Sequence, residues 1–287
     1  MDMGGHDDGG MDQQTIADAA FDGCLRLAAY DFATDLNVNI LGHIFEQSIT
    51  DLERLRAEIR GEAVDPRKSS RKLGGVFYTP ETITQYIVAE TIGGWLKTRF
   101  DDLEARFAPE SQRTDIRRRE ARLALWEAYR EVLRHIKVLD PACGSGAFLI
   151  AAFDYLQAEY ARANNQLAAL RGGQTELFDL DRHILTHNLF GVDISPESVE
   201  IAKLALWLKT ARTDRPLNDL DANLRRGNSI VSPAPDLPPG LAAEAFDWRA
   251  AFPQVFAAGL PAATAAQAGG FDCVVGNPPY IRQEWLG

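Results

Sequence analysis

Residues 136–148 read IKVLDPACGSGAF. Ile136 to Asp140 form a short apolar run, partly β-branched and closed by an acid. A glycine-bearing turn follows, then an apolar-periodic segment that continues through Tyr155 and Tyr160. This order predicts a strand, a tight turn and a helix. The pattern recurs downstream. NLFGVD (188–193) reads as a strand, SPESVEIAKLALWLKT (195–210) as a helix opened by Ser195, ANLRRGNSI (222–230) as a third strand with its exit loop, and FDCVVGN (271–277) as a fourth strand. Strands alternating with helices predict a parallel sheet with helices on its faces, in which ligands bind beyond the carboxyl ends of the strands. Asp140, Asp193, Gly227 and Asn277 all fall at such ends.

Working outward, the stretch before Ile136 is helical in pattern. From Leu36 to Ile59 apolar residues recur at helical spacing, which predicts a long amphipathic helix that must pack on a partner. A polar, basic linker covers 61–72. In GGVFYTPETITQYIVAETIGGWL (74–96), Thr79 is the expected N-cap with Pro80 at the first helical position of a helix running towards Trp95. Residues 101–135 are charged and helical in pattern. The glycine- and aspartate-rich start is expected to be disordered, and the alanine- and proline-rich stretch 233–270 reads as an insertion or surface excursion. The expected divisions are 1–35, a disordered start with a short helix; 36–135, a helical connector; and 136–287, an α/β core.

Composition narrows the function classes. The chain has 287 residues, 46% of them hydrophobic, with no apolar run long enough to cross a bilayer and no secretory leader pattern. A cytoplasmic location without membrane partners is expected. Three cysteines, Cys24, Cys143 and Cys273, are far apart and read as small buried thiols rather than a disulfide framework. His183 and His187 stand one helical turn apart with no nearby cysteine, so no metal is expected there. The net charge of −11 argues against the whole chain gripping duplex DNA unaided. Basic clusters at Arg67–Lys72 and Arg113–Arg119 read first as solvated faces.

The strand ends carry the chemistry. A glycine turn between strand and helix lets a ligand approach backbone N–H groups at a helix N-terminus. Asp193, closing the next strand, can accept hydrogen bonds from ribose hydroxyls, and Asn228 after the third strand can read an adenine edge. The turn is not GxGxxG, and Asp193 lies further downstream than in dinucleotide folds, which disfavours a nicotinamide enzyme. In Asn277-Pro278-Pro279-Tyr280, the asparagine side-chain carbonyl and the Pro278 backbone carbonyl can both accept from one amino group. Two such acceptors hold an sp² amine as its nitrogen becomes tetrahedral and ready to attack a methyl. The prolines stiffen the loop, and Tyr280 offers a flat face on which a base can stack.

These residues resemble a known family. DPACGSGAF at 140–148, VDISP at 192–196, GNSI at 227–230 and NPPY at 277–280 are similar to motifs of the S-adenosylmethionine-dependent DNA adenine-N6 methyltransferases. Phe77-Tyr78-Thr79-Pro80, ahead of the glycine turn, resembles that family's further cofactor motif in gamma-class order. LGHIFEQSI at 41–49 resembles the segment before the methylase core of type IIG restriction-modification enzymes. The resemblance implies that Asp140, Ala142, Gly144 and Gly146 border the methionine and ribose part of S-adenosyl-L-methionine, with Phe148 packing nearby. Tyr78, Thr79 and Pro80 would close over the methionine end, Asp193 would hold the ribose hydroxyls, and Ile194 and Asn228 would flank the cofactor's adenine. Asn277, Pro278, Pro279 and Tyr280 would hold a target adenine flipped out of DNA.

The implied fold class is α/β, an incomplete Rossmann-like class I methyltransferase sheet preceded by a helical domain. Family sheets have seven strands and four are legible, so the sequence reads as the front portion of a longer enzyme. A C-terminal portion or complementing chain would carry target recognition. The last strand, Phe271 to Val275, is then expected as an exposed edge with apolar side chains. Two alternatives stay open at this point: a catalytically silent fragment, and a methyltransferase acting on protein glutamine or RNA.

Overall fold

The computed structural model describes residues 79–173, 179–210, 219–242, 245–256 and 269–278. The amphipathic stretch 36–59, the basic cluster at 67–72, Cys24, Tyr78, Pro279 and Tyr280 lie outside the described residues.

Helix α1 (Glu81–Val88) passes through one π-helical segment (Ala89–Gly93) into α2 (Gly94–Phe107). Helix α3 (Asp115–His135) returns to the sheet and delivers β1 (Val138–Asp140). Helix α4 (Ala147–Leu170) follows the glycine turn, and α5 (Leu180–His183) runs through a second π-helical segment into β2 (Leu189–Asp193). Then come α6 (Pro196–Thr210), β3 (Leu224–Arg226), the short helices α7 (Pro239–Ala242), α8 (Trp248–Ala251) and α9 (Pro253–Phe256), and β4 (Cys273–Val274). All four strands pair in parallel in the order β3-β2-β1-β4, with Val138 opposite both Leu189 and Cys273, and Gly191 opposite Leu224. The α/β class and each strand expected from sequence are present.

Side chains alternate across this sheet. Val138, Leu189, Cys273 and Val275 join the main core with α3, α4 and α6, whereas Leu139, Phe190 and Val192 point to the other face. That core is continuous across residue 136, because Val88, Ile92 and Leu96 from the first helical rod and Tyr129 and Leu133 from α3 are part of it.

The stretch 233–270 departs in part from expectation. Residues 233–240 are largely exposed, as expected of a surface excursion, but 245–256 cover the second sheet face, where Phe246, Phe252 and Val255 are buried on Leu139, Phe190 and Val192. Topology explains why. The chain steps outward from β1 to β2 to β3 with α4 and α6 on one face, then reverses to place β4 beside β1. Right-handed crossovers put a reversed connection on the opposite face. A Cβ on Gly227 would sit 2.1 Å from the Phe246 ring, so glycine at that strand exit admits the aromatic cover.

The first helix also differs. Pro80, extended at ψ 140, is the N-cap, and its carbonyl accepts from the N–H groups of Ile83 and Thr84; Thr79 makes no cap. Proline lacks a donor but keeps its carbonyl, so it can begin the ladder there. The helical backbone also continues past Trp95 to Phe107. Gly93 serves close packing, since a Cβ there would lie 2.4 Å from the Tyr155 hydroxyl.

Ser195 opens α6 as expected, its hydroxyl accepting from the Ser198 N–H at 3.1 Å. Ser195→Ala is expected to cost about 1 kcal/mol of stability in urea denaturation, as loss of an N-cap does. Strand β4 lies at an edge of the described sheet, but of its apolar residues Val274 alone is exposed, with Cys273 and Val275 buried.

Candidate functional site

Parallel pairing brings Asp140, Asp193, Gly227 and the 276–278 segment to one end of the sheet. Because β1 lies between β2 and β4, the connections diverge there, leaving the crevice in which α/β sheets bind ligands. The turn after β1 is fixed at several points. The Cys143 N–H donates to the Val192 carbonyl at 3.0 Å and the Gly146 N–H to the Cys143 carbonyl at 2.8 Å. Gly144 (φ 51) and Gly146 (φ 91) take the left-handed conformation that favours glycine. A Cβ on Gly146 would lie 3.3 Å from Ala202, so this residue also sets the approach of α4 to α6.

Asp193 ties two loops together. One carboxylate oxygen accepts from the Gly144 N–H at 2.9 Å and the other from the Ser195 N–H at 2.9 Å. Burial raises its pKa, against the pull of these N–H groups. Ile194 beside it is exposed, while Arg226 donates to the Ile194 carbonyl at 3.4 Å. Asn228 uses its side-chain oxygen to accept from the Ile230 N–H at 3.3 Å, an Asx turn that shapes the exit of β3. Phe148 is buried in the main core, beneath the turn rather than at its surface. Ala142 is half-buried, and its N–H donates to Asp140 Oδ1 at 3.1 Å.

Asp140 is the most unusual group at this edge. It is only 1% exposed, and its Oδ2 atom is buried with no hydrogen-bond partner. Burial pushes its carboxyl up to about 7, the Ala142 N–H opposes that, and the Asp193 charge adds to it. Sequence reasoning missed the neighbour that encloses it. At Gly276, φ is 156 and a Cβ would lie 2.7 Å from Asp140 Oδ1. The signal was present, a glycine between the end of β4 and the asparagine.

Thr79 of the FYTP stretch and Asn277 of the NPPY stretch meet here. Asn277 Nδ2 donates to Thr79 Oγ1 at 3.3 Å across 198 residues. Thr79 is nearly buried, whereas Asn277 and Pro278 are exposed at the mouth. The amide nitrogen is committed to threonine, leaving Oδ1 as the group's acceptor end.

The site suits a cofactor with cationic, carboxylate and ribose parts. It offers an unpartnered buried carboxylate oxygen, a glycine cradle at a helix N-terminus, and a half-buried acid at the end of the second strand. A cavity of about 450 Å³ lies elsewhere, between the first helical rod, α3 and α4. Its lining residue Tyr155 is about 13 Å along α4 from Gly146, at 1.5 Å per residue. Its polar floor is self-satisfied. The Tyr129 hydroxyl and Arg162 both donate to Glu159, each at 2.6 Å, and the guanidinium lies 5.1–5.2 Å from the Phe100, Trp126 and Tyr129 rings.

In sequence, this chain is similar to methylases that accompany restriction. Residues 187–287 match the family model described as Eco57I restriction-modification methylase. A type II restriction enzyme and methyltransferase of Methanocaldococcus jannaschii is 30% identical over 69% of this chain and 17% of its own length. The adenine-specific methyltransferase BrxX of Escherichia coli O9:H4 is 33% identical over 48% of this chain and 11% of its own. The type II restriction enzyme and methyltransferase RM.Eco57I of Escherichia coli is 25% identical over 90% of this chain and 23% of its own. The solved structure of the type IIL restriction-modification enzyme MmeI in complex with DNA is 26% identical, covering 50% of this chain and 17% of that one with a TM-score of 0.33. The chain thus spans between about a tenth and a quarter of the length of these curated relatives. Among the described residues no helix is long and apolar enough to cross a membrane.

Proposed function

We propose that this chain carries the cofactor and catalytic elements of an S-adenosylmethionine-dependent methyltransferase acting on the exocyclic amino group of adenine in DNA, within a restriction-modification or related defence system. The observation that carries the reading is the Asn277 to Thr79 hydrogen bond, which joins the two stretches implied to hold target and cofactor at the crevice beside Asp140. The match to Eco57I-type methylase and the relatives named for adenine-specific methylation favour adenine in DNA over protein glutamine or RNA. The cytoplasm is the corresponding location, and a longer protein or second chain would supply target recognition.

When bound, S-adenosylmethionine supplies an electrophilic methyl on a sulfonium. Asp140 and the Gly144–Gly146 turn would hold its methionine part and Asp193 its ribose. Asn277 Oδ1 and the Pro278 carbonyl accept the two hydrogens of the target amino group, drawing its nitrogen towards tetrahedral geometry and directing its lone pair. Pro279 and Tyr280 would serve, as the resemblance implies, to stiffen that loop and to stack on the flipped base. Thr79 holds the asparagine amide nitrogen, which leaves its oxygen to accept, and no covalent enzyme intermediate is needed. Catalysis then rests on positioning and electrostatics.

Calorimetric titration with S-adenosylmethionine tests the cofactor half of this reading. Saturable binding is expected, weakened about 10- to 100-fold in Asp193→Ala, the loss of charge-assisted hydrogen bonds. Equal affinity in the variant would remove Asp193 from the site. Methyl transfer compared on adenine-containing DNA, RNA and protein tests the target half, and transfer confined to protein or RNA would overturn it.

A further inference from the structure

Every polar atom of the paired acids at this crevice has a backbone donor except one. Asp193 has both oxygens taken, by Gly144 and Ser195, whereas Asp140 has Oδ1 on the Ala142 N–H and Oδ2 on nothing. Asp140 is also more deeply buried, with Gly276 pressed against it from the exit of β4. The groups facing it can be named element by element. The glycine turn brings the buried Cys143 thiol, the end of β2 brings the Asp193 carboxylate, and the exit of β4 brings neutral Gly276. No basic side chain among the described residues contributes to its ionisation. An enclosed carboxylate without a cation, beside a better-solvated one, favours the acid form of the first.

We propose that Asp140 is a neutral acid in the cofactor-free chain and gives up its proton when the cationic methionine end of S-adenosylmethionine arrives, so that cofactor capture is coupled to proton release. The inference rests on the cofactor reading above. In the step, the Asp140 O–H bond breaks, the proton passes to solvent, and the carboxylate pairs with the incoming positive charge; nothing is oxidised or reduced. The elevated carboxyl titration fixes the sign. A raised acid pKa stabilises the cofactor-free fold at low pH, and that contribution is lost as pH rises through about 7. Below that point cofactor must displace a proton, so its affinity falls about tenfold for each further pH unit.

The experiment uses the full chain labelled with aspartate carrying ¹³C in the side-chain carboxyl, followed by NMR from pH 5 to 8 with and without S-adenosylmethionine. Asp140→Asn assigns the resonance. In parallel, calorimetry of the unmutated chain in buffers of different ionisation enthalpy counts protons without needing the variant to fold. One resonance is expected to titrate near neutrality in the free chain and to take its ionised position on saturation at pH 6. The expected release is about half a proton at pH 7, falling towards zero above pH 8. Titration in the ordinary carboxylate range overturns the proposal. So does saturable binding that leaves Asp140 protonated, although the cofactor site then stands. Absence of any saturable response between pH 6 and 8 removes the cofactor reading and the proposal together.

Discussion

Asn277→Ala is expected to leave S-adenosylmethionine affinity within about twofold while lowering methyl transfer to adenine about 10²- to 10³-fold, the scale seen when one preorganised transition-state hydrogen bond is removed. The asymmetry follows from placement. Asn277 is exposed at the mouth and touches the remaining structure through Thr79, while the turn, Asp140 and Asp193 are fixed by bonds that do not involve it. In the proposed mechanism its side-chain oxygen would act only on the target amine, most strongly as that nitrogen turns tetrahedral. The check is a pair of measurements on the same preparation, calorimetric cofactor binding and transfer of labelled methyl to DNA. Unchanged transfer would sink the catalytic assignment, and lost binding would mean that the asparagine supports the cofactor side instead.

The second large effect lies on the far face of the sheet. Phe252→Ala is expected to destabilise the fold by about 3–5 kcal/mol in guanidinium unfolding. The ring is fully buried, with centroids 5.6 Å from Phe190, 6.1 Å from Phe246, 6.0 Å from Trp248 and 5.7 Å from Phe271. These rings meet mostly edge to face, the arrangement aromatic quadrupoles prefer. Truncation leaves a cavity under β1 and β2 that four large side chains cannot refill without shifting the strands. A cost below about 1 kcal/mol would mean that this face is loosely covered, since well-packed buried aromatics do not come out so cheaply.

How much of this was legible in the sequence depends on where the signal lay. Strands β1, β2 and β4 were readable as short apolar runs that stop at Asp or Gly-Asn, β3 (Leu-Arg-Arg) by its place between a helix and a Gly-Asn exit, and the parallel arrangement followed from the alternation of strands with helices. The meeting of strand ends was readable for the same reason. The aromatic cover over the second face was not. Phe246, Trp248, Phe252 and Phe256 sit in an alanine- and proline-rich stretch that gives no strand or long-helix pattern, because two short helices carry Trp248 and Phe256 while Phe246 and Phe252 come from the residues flanking them. The role of Thr79 was misread as a cap because its sequence neighbour is proline, while its partner is distant. Gly276 drew no reading from the sequence, because only the position of Asp140 shows why a side chain does not fit there. Tyr280, Pro279 and Tyr78 fall outside the described residues, so their roles stay within the proposal.

The hydrogen bond between Thr79 and Asn277 also has a temporal side. It spans 198 residues, and contacts of such separation form late in folding. A growing chain on the ribosome can form its first helices, its glycine turn and three strands long before the asparagine is synthesised. The crevice is thus assembled from the beginning and end of the described fold, and no shorter nascent intermediate holds both sides of it.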